Sequence, residues 1–481
     1  MSQLAARALV FFTSAAVLVL EILAQRLLAP YLGVSLEVVT GVIGVILAGI
    51  AIGAWAGGRA ADRVDPARLI GPILVAGGLT ALAAPLVVDL LGPATPNTGP
   101  ASIVVLTTLG FFAPAAVLSA VPPVVVKLRL QSLDETGSVV GSYSAIGTAG
   151  GIFGTFVTGF VLIAAFPTRP IVVAVGAALV LAGALNWKRG GGGRLSSVAV
   201  GGLLAVVLSA WGGPCDYETT YSCADIVPDP DRPFARTLYL NGVANSYVDL
   251  ADPTYLDFRY ARIVADVLDA SLPEDPLNAV SVGGGGFTFD AYLKETRPGT
   301  EHITLEIDRA LIDIGHSELG LSDDASVVVD DARRSIGTIP LDWADLILGD
   351  AFSGLSVPWH LTTLEFVETL ADRLAADGIY VMNVIDYGDL DFARAETATL
   401  MRVFDHVAVF APPDYLAAEA GGNFVLVGSD RPIPTDAIEE AIEDRGGREI
   451  GATGDSLRAF VGSAPVLTDD YAPVDQMIDR P

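Results

Sequence analysis

The sequence predicts two domains of different class, an all-α membrane domain followed by an α/β domain with a doubly wound parallel sheet. Charge is the first indication. Residues 1–213 carry 11 Lys and Arg against 7 Asp and Glu, whereas the remaining 268 carry 17 against 49, and the whole chain has a formal net charge of −28. The second indication is a change of pattern. Long apolar segments give way, from about Arg236, to short strand-like segments that alternate with amphipathic helical ones.

The membrane domain is predicted from apolar segments, since a helix of about 20 apolar residues crosses a lipid bilayer. The second, fourth and fifth of them contain no charged residue, which disfavours buried helices of a soluble domain. A count of six or eight stays open beside the count of seven. Two glycine pairs in the fifth segment, Gly147 with Gly151 and Gly150 with Gly154, have a spacing of four residues and predict close packing against another helix. The segments lie near 8–28, 38–58, 69–91, 101–126, 139–166, 171–187 and 195–213.

The basic residues between these segments predict an orientation in the cell membrane. Nine of them fall on one side and only Arg26 and Arg169 on the other, which places the amino terminus in the cytoplasm. With seven spans the acidic domain then lies outside. Because the span count is open, the side of the membrane on which this domain lies stays open as well. The only cysteines, Cys215 and Cys223, follow the last span and form either a disulfide on an oxidising face or two free thiols.

The acidic half divides further. Residues 214–235 are expected to be a linker, residues 236–260 a β-hairpin module around Asn241-Gly242, and residues 261–481 an α/β domain. Helical patterns separate the first five strands of that domain, so a parallel sheet follows. The predicted strands are 279–283, 302–308, 326–330, 344–350, 378–385, 406–410 and 423–428.

The acidity of this half carries its own prediction. Only three lysines occur among the 28 basic residues. In strong salt, carboxylate repulsion is screened over a few ångström, so such a composition is typical of a halophilic protein. The same acidity argues against nucleic acid as a partner.

A candidate site follows from the strand ends, because ligands of such sheets bind outside the carboxyl ends of the strands. The glycines 283–286, Glu306, Asp331 and Asp350 fall at or just beyond four successive ends. Glu306 comes 20 residues after Gly286, where a carboxylate can accept hydrogen bonds from ribose hydroxyls. Thr288 stands where the dinucleotide fingerprint requires glycine, so a ribose ligand without a pyrophosphate is expected.

These residues and several longer stretches carry a resemblance to a known family. The stretches are VGGGGFTFDAYL, TLEID, VDDAR, LILGDAFSGLSVPWHLTTLEF, GIYVMNVID and TDDYAPVD. From Arg236 onward the chain resembles the spermidine synthase (aminopropyltransferase) family, and as a whole it resembles the membrane-fused branch of major-facilitator/spermidine synthase proteins. The resemblance implies a Rossmann-like class I methyltransferase fold. It also implies S-adenosylmethionine or its decarboxylated form as a substrate, and a homodimer joined through the hairpin module. No metal is expected.

The resemblance assigns roles to matching positions. Gly283, Gly284 and Gly285 would lie along the methionine-derived part of the ligand. Glu306 would bind the ribose, and Asp331 would meet the adenine amino group. The family acid that orients and deprotonates the attacking amine matches Asp350, and a family tyrosine beside that amine matches Tyr260. Tyr260 is equally consistent with a tyrosine packed on the buried face of a helix.

Three departures from the family concern the acceptor. Soluble aminopropyltransferases carry acids at the positions of Gly286, Ser353 and Arg262. A polyamine needs spaced carboxylates, so classical putrescine recognition is disfavoured while binding of an adenosyl ligand is not.

Other side chains could bind the acceptor in their place. Asp469 and Asp470 lie in a terminal stretch that could fold over the site, and His360 follows Asp350 closely in the chain. Packing or the start of a helix is the favoured role for His360. The remaining histidines show no metal spacing, and no Ser/His/Asp or CxxC site is expected.

Three functions therefore remain in order of preference. The first is a membrane-bound transferase that moves an aminopropyl or related alkyl group from decarboxylated S-adenosylmethionine to a small amine, as in polyamine biosynthesis. The second is S-adenosylmethionine-dependent methylation of a membrane-associated substrate. The third, favoured if the acidic domain lies outside the cell, is a non-catalytic ligand-binding or transport-associated protein.

Overall fold

The computed structural model describes residues 1–95, 99–130, 132–189, 215–272 and 275–478. These residues form two compact units, Met1–Ala224 and Asp225–Pro481. The linker, module and domain bounds expected within the acidic half stay predictions.

The described residues of the first unit contain six helices that are long and apolar enough to cross a membrane. Five of the first six predicted segments fall within them and the fifth, 139–166, runs one residue past its helix, whereas the seventh, 195–213, lies outside the described residues. The helices are α1 (Gln3–Leu32), α2 (Leu36–Arg63), α3 (Pro66–Ala94), α4 (Pro100–Arg129), α5 (Thr136–Ala165) and α6 (Thr168–Trp187).

Glycines on α5 allow close contact with α1. A Cβ atom on Gly150 would overlap the carbonyl of Phe11, and one on Gly154 would lie 2.6 Å from the carbonyl of Ala15. The predicted close packing at Gly150 and Gly154 is therefore confirmed, with α1 as the partner helix. Small residues permit this contact because the two backbones approach each other directly.

The first unit ends in a small disulfide-closed hairpin. Cys215 and Cys223 are joined with their Cα atoms 5.7 Å apart. Between them, β1 (Tyr217–Glu218) pairs with the start of β2 (Cys223–Pro228) in antiparallel register, with Glu218 opposite Cys223.

Polar contacts hold this hairpin against one end of the helices. Arg26 of α1 lies 3.3 Å from a carboxylate oxygen of Glu218 and also donates to the carbonyls of Thr219 and Thr220. Glu218 in turn accepts a 2.9 Å hydrogen bond from the backbone N–H of Thr168, where α6 begins. The hairpin therefore lies at the end of the helices that carries Arg26 and Thr168.

The second unit opens with the predicted hairpin. β3 (Ala235–Leu240) and β4 (Val243–Asp249) pair in antiparallel register, with a bulge after Leu238. Asn241 and Gly242 form the connection with φ of 51° and 79°. Two positive φ values are what a type I′ turn requires, which is why Asn-Gly favours this hairpin.

An eight-stranded sheet follows, in the order β12-β10-β11-β9-β8-β5-β6-β7. The strands from β9 to β7 in this order are mutually parallel, as predicted, whereas β10, β11 and β12 are antiparallel to their neighbours. The sequence did not indicate β12, which is only three residues long. The strands are β5 (Asn278–Val282), β6 (Glu301–Glu306), β7 (Ser326–Val329), β8 (Ala344–Gly349), β9 (Leu374–Asp386), β10 (His406–Ala411), β11 (Gly422–Ser429) and β12 (Ile450–Ala452).

Helices cover both faces of this sheet, so the central strands are apolar on both sides. Val280 and Ile347 belong to the core on one face, and Ala279 and Leu348 to the core on the other. The helices are α7 (Arg259–Ser271), α8 (Thr288–Thr296), α9 (Arg309–Glu318), α10 (Ala332–Ser335), α11 (Leu364–Ala371), α12 (Asp391–Val403), α13 (Pro413–Leu416), α14 (Thr435–Asp444), α15 (Gly454–Val461) and α16 (Val474–Met477).

Candidate active site

The glycine loop lies directly against its neighbours at the carboxyl end of β5. Gly283 has a φ of 96°, and a Cβ atom there would lie 2.6 Å from the carbonyl of Asp350 at the end of β8. Gly285, with a φ of 49°, approaches the side chains of Asn245 and Ser246 on β4. Both positions need glycine for their backbone conformation and their contacts, and a ligand can meet bare backbone here.

Ser246 fills the space beside Gly286, where the family resemblance implies an acid. A Cβ atom on Gly286 would lie 2.6 Å from the Cβ atom of Ser246. The backbone N–H of Gly286 donates a 2.8 Å hydrogen bond to the Ser246 hydroxyl. A neutral hydroxyl on the hairpin therefore occupies the place of the missing carboxylate.

Glu306 ends β6 beneath this loop. Its two carboxylate oxygens accept hydrogen bonds from the backbone N–H groups of Gly284, at 2.8 Å, and Asp308, at 2.7 Å. Burial raises the pKa of Glu306, and these N–H groups oppose the rise. Since each carboxylate oxygen has further lone pairs, Glu306 can also accept from ligand hydroxyls.

Asp350 follows β8 and is held by two side-chain donors. The hydroxyl of Tyr260 on α7 donates to one carboxylate oxygen at 2.8 Å, and the amide of Asn383 on β9 donates to the other at 2.9 Å. Asn423 on β11 orients that amide by donating to its oxygen at 2.9 Å. Burial raises the pKa of Asp350 to about 6, although both donors lower it. A carboxylate with this pKa is suited to general base catalysis near neutral pH.

Asn383 and Asn423 were not indicated by the sequence analysis. Each stands in an otherwise apolar stretch of strand, VMNVI and NFVLV. A buried amide needs hydrogen-bond partners, so such an interruption is the signal that could have pointed to them.

A second group of predicted residues surrounds Asp331 after β7. Asp331 caps α10 by accepting from the backbone N–H of Arg333 at 2.8 Å, and its other oxygen lies 3.0 Å from Nε2 of His360. Arg333 pairs with Asp469 at 2.6 Å, whereas Asp470 is exposed. The structure thus places His360 in direct contact with Asp331 and connects Asp469 to Asp331 through Arg333.

The other two positions at which the family carries acids face protein groups. Arg262 donates to the carbonyls of Leu256 and Asp257, ahead of its own helix. Ser353 pairs with Ser356 in an isolated bridge. Neither adds a carboxylate to the site.

A small pocket lies against the β4, α7 and α8 side of the sheet. Its cavity volume is about 20 Å³, and both Tyr260 and Asp350 line it. The other lining residues are Ser246, Ser281, Gly283, Gly284, Phe287, Thr288, Phe289, Asp290, His302, Thr304 and Leu348.

Three of these residues form a hydrogen-bonded chain. The hydroxyl of Ser281 on β5 lies 2.8 Å from Nε2 of His302 on β6, and Nδ1 of His302 lies 3.2 Å from Asp290 on α8. The expectation that no Ser/His/Asp arrangement occurs was wrong. The three are far apart in the chain, and only the pairing of β5 with β6 brings them together. The detectable signal was Ser281, a hydroxyl inside the apolar strand AVSV.

No group of three or more His, Cys, Asp or Glu side chains that could hold a metal ion occurs among the residues that the structure describes.

No family model matches the chain. A polyamine aminopropyltransferase of Chromobacterium violaceum is 27% identical over 229 residues, which cover 47% of this chain and 84% of that protein. A crystal structure of a probable spermidine synthase from Corynebacterium glutamicum matches with a TM-score of 0.50 and 29% identity, over 55% of this chain and 98% of that one. The carboxy-terminal part of the chain is homologous to the polyamine aminopropyltransferases.

A second relative agrees with this homology. A probable polyamine aminopropyl transferase of Bifidobacterium longum is 25% identical over 275 residues, 54% of this chain and 60% of that protein. The homology to polyamine aminopropyltransferases supports an aminopropyltransferase enzyme with a Rossmann-like methyltransferase fold.

Proposed function

We propose that the second unit transfers an aminopropyl group from decarboxylated S-adenosylmethionine to a small amine. The observation that carries the proposal is Asp350, a half-buried carboxylate with a pKa of about 6 that lines the pocket beside the glycine loop. Gly283–Gly285 and Glu306 would hold the adenosyl ligand, and Asp331 would meet its adenine. Tyr260 would orient Asp350 through their shared hydrogen bond.

The chemistry requires a base at this place. An ammonium has no lone pair, so the acceptor first gives a proton to the Asp350 carboxylate. The amine lone pair then forms the C–N bond while the C–S bond breaks and its electrons pass to sulfur. The sulfonium becomes a neutral thioether, and the product is a secondary ammonium. Because a sulfonium leaves readily, alignment of the two reactants is the main task of the protein.

The acceptor is expected to differ from that of a classical spermidine synthase. Ser246 fills the place of one family acid, and Ser353 and Arg262 replace two others. A polyamine with several charges would lose favourable contacts at each place. We therefore propose an acceptor with few charges. His360, Asp469 and Asp470 remain candidates for contacting it at the Asp331 side of the site.

The test uses the full chain, purified in detergent and high salt. Calorimetry compares binding of decarboxylated S-adenosylmethionine with that of S-adenosylmethionine, and mass spectrometry follows a panel of mono-, di- and triamines. Tight binding of the decarboxylated ligand and formation of an aminopropyl product are expected. Consumption of S-adenosylmethionine alone would establish methyl transfer instead, and failure of the folded protein to bind either would indicate a non-catalytic protein.

We further propose that this is a multi-pass membrane protein whose second unit lies outside the cytoplasm. Arg26 and Thr168 mark the end of the helices that is poor in basic residues, and the disulfide-closed hairpin is held there. The positive-inside rule places the Arg26 end outside, and a disulfide persists on that face.

Cysteine labelling of intact cells tests this topology. Asp377→Cys, at an exposed position in the second unit, is expected to react with a membrane-impermeant maleimide. Arg63→Cys, at the basic end of α2, should react only after permeabilisation. The reverse pattern would place the second unit in the cytoplasm. External labelling would mean that the transferase needs both substrates on that face.

A further inference from the structure

We propose that Ser281, His302 and Asp290 form a proton relay that returns Asp350 to its carboxylate form after each transfer. This inference rests on the proposed aminopropyl transfer. It assigns a role to three residues that the transfer step itself does not use. The need for it is chemical. Each turnover leaves one proton on Asp350, and both of its protein partners, Tyr260 and Asn383, donate hydrogen bonds to it.

The hydrogen bonds that connect Ser281, His302 and Asp290 have a defined direction from donor to acceptor. The carboxylate of Asp290 accepts hydrogen bonds only, so Nδ1 of His302 carries the proton that points to it. In the neutral ring Nε2 is then an acceptor, and the Ser281 hydroxyl donates to it. The Ser281 oxygen can still accept a hydrogen bond from the pocket. The chain can therefore take a proton at Ser281 and hold it on the imidazole beside a carboxylate.

The relay and the base share one cavity. Ser281 and Asp350 both line the pocket, whose volume of about 20 Å³ is enough for one water molecule. Ser281 pairs in register with Leu348, two residues before Asp350 on the neighbouring strand. The other polar side chains that face this cavity are Ser246, Tyr260, Thr288, Asp290, His302 and Thr304. A water molecule in the pocket would connect the Asp350 carboxyl to the Ser281 hydroxyl.

Asp290 is the more exposed end of the relay. Its side chain is 12% exposed, against 7% for that of His302, and Ser281 as a whole residue is 6% exposed. The proton path therefore ends at the group among these three that reaches solvent most. In the step itself, protonated Asp350 gives its proton to the water, the water gives one to the Ser281 oxygen, and the Ser281 hydroxyl proton passes to Nε2. The resulting imidazolium, stabilised by Asp290, releases its Nδ1 proton to solvent on the Asp290 side. The ring then exchanges its Nε2 proton for one at Nδ1 through water, which restores the starting tautomer.

A relay that acts after the transfer makes a specific kinetic prediction. His302→Gln keeps a polar side chain but cannot take up the proton. In rapid-quench experiments on the full chain with decarboxylated S-adenosylmethionine and putrescine, or the best amine of the panel, the first turnover should keep its wild-type rate. Steady-state turnover should fall at least about 10-fold, within the usual contribution of a positioned acid–base group. The result is a burst of one product per site.

The matched control is His316→Gln, a histidine of α9 whose Nδ1 lies 3.1 Å from the carbonyl of Leu321. It should show neither effect. Asp290→Asn is the second relay variant, for use if His302→Gln does not fold, and it should show a burst as well. Equal losses in the first turnover and the steady state would mean that the three residues only support the fold, and wild-type kinetics would also overturn the relay. Absence of any first turnover in the wild-type protein would overturn the proposed function together with the relay.

Discussion

Replacing Asp350 with Asn should slow transfer strongly and yet stabilise the protein near neutral pH. Asn cannot accept the acceptor's proton, so the rate should fall by about 10²–10⁴-fold. The two donors at this position retain partners. Asn383 can still donate to the amide oxygen, and the Tyr260 hydroxyl can rotate to accept from the amide nitrogen. The fold should therefore survive the change.

The gain in stability follows from the pKa. Burial raises the pKa of Asp350 from its ordinary value of 3.8 to about 6, so the folded state binds a proton that the unfolded chain releases. The contribution of Asp350 to stability is fully present below pH 3.8 and is lost as the pH rises through 6. At pH 8 this loss amounts to about 3 kcal/mol. After subtraction of about 1 kcal/mol for weakened hydrogen bonds, Asp350→Asn should be more stable by about 2 kcal/mol.

Urea titrations of the full chain in detergent, at pH 8 and pH 5 in the same salt, measure this difference. The advantage of Asp350→Asn should shrink by about 1.4 kcal/mol at pH 5, because folded Asp350 is then mostly protonated and that protonation costs less free energy as the pH approaches 3.8. The wild-type rate should fall below about pH 6 as the base becomes protonated. Asp372→Asn, at an exposed carboxylate, is the control and should change neither quantity. A variant that is less stable than wild type at both pH values would refute the reasoning.

Three further predictions concern single contacts. Gly286→Asp should weaken ligand binding at least about 10-fold, because the new Cβ atom would meet Ser246. Adding Ser246→Gly should partly restore binding. A calorimetric affinity that Gly286→Asp alone leaves unchanged would contradict this contact. Glu306→Gln should weaken binding of the decarboxylated ligand by about 10–100-fold with little change in the rate at saturation, and a loss confined to that rate would argue against a ribose contact. Gly150→Val should lower the thermal midpoint of the chain in detergent by separating two helices, whereas Gly141→Val, at a position with open space, should not.

The order of the active-site parts was accessible from sequence because it is local. The glycine loop, Glu306, Asp331 and Asp350 each follow a strand, and in parallel strands the carboxyl ends lie at one edge of the sheet. The Asn241-Gly242 turn and the long apolar helices were predictable for the same reason, since turn chemistry and apolar length act within a few residues of chain.

Contacts between distant segments could be found only in the folded chain. The sequence showed that an acid is missing at Gly286, and the fold shows that Ser246, 40 residues earlier, fills the space. The sequence contained Ser281, Asp290 and His302 without any spacing that connects them. Their alignment depends on how β5, β6 and α8 pack. This packing sets the distances between the three side chains to within a few tenths of an ångström, and no periodicity in the sequence encodes distances so finely. The sequence by itself therefore determined which chemistry the site offers. Tertiary packing decided the pKa of Asp350 and which side chains surround it, because burial and hydrogen bonding are properties of neighbours brought together from across the chain.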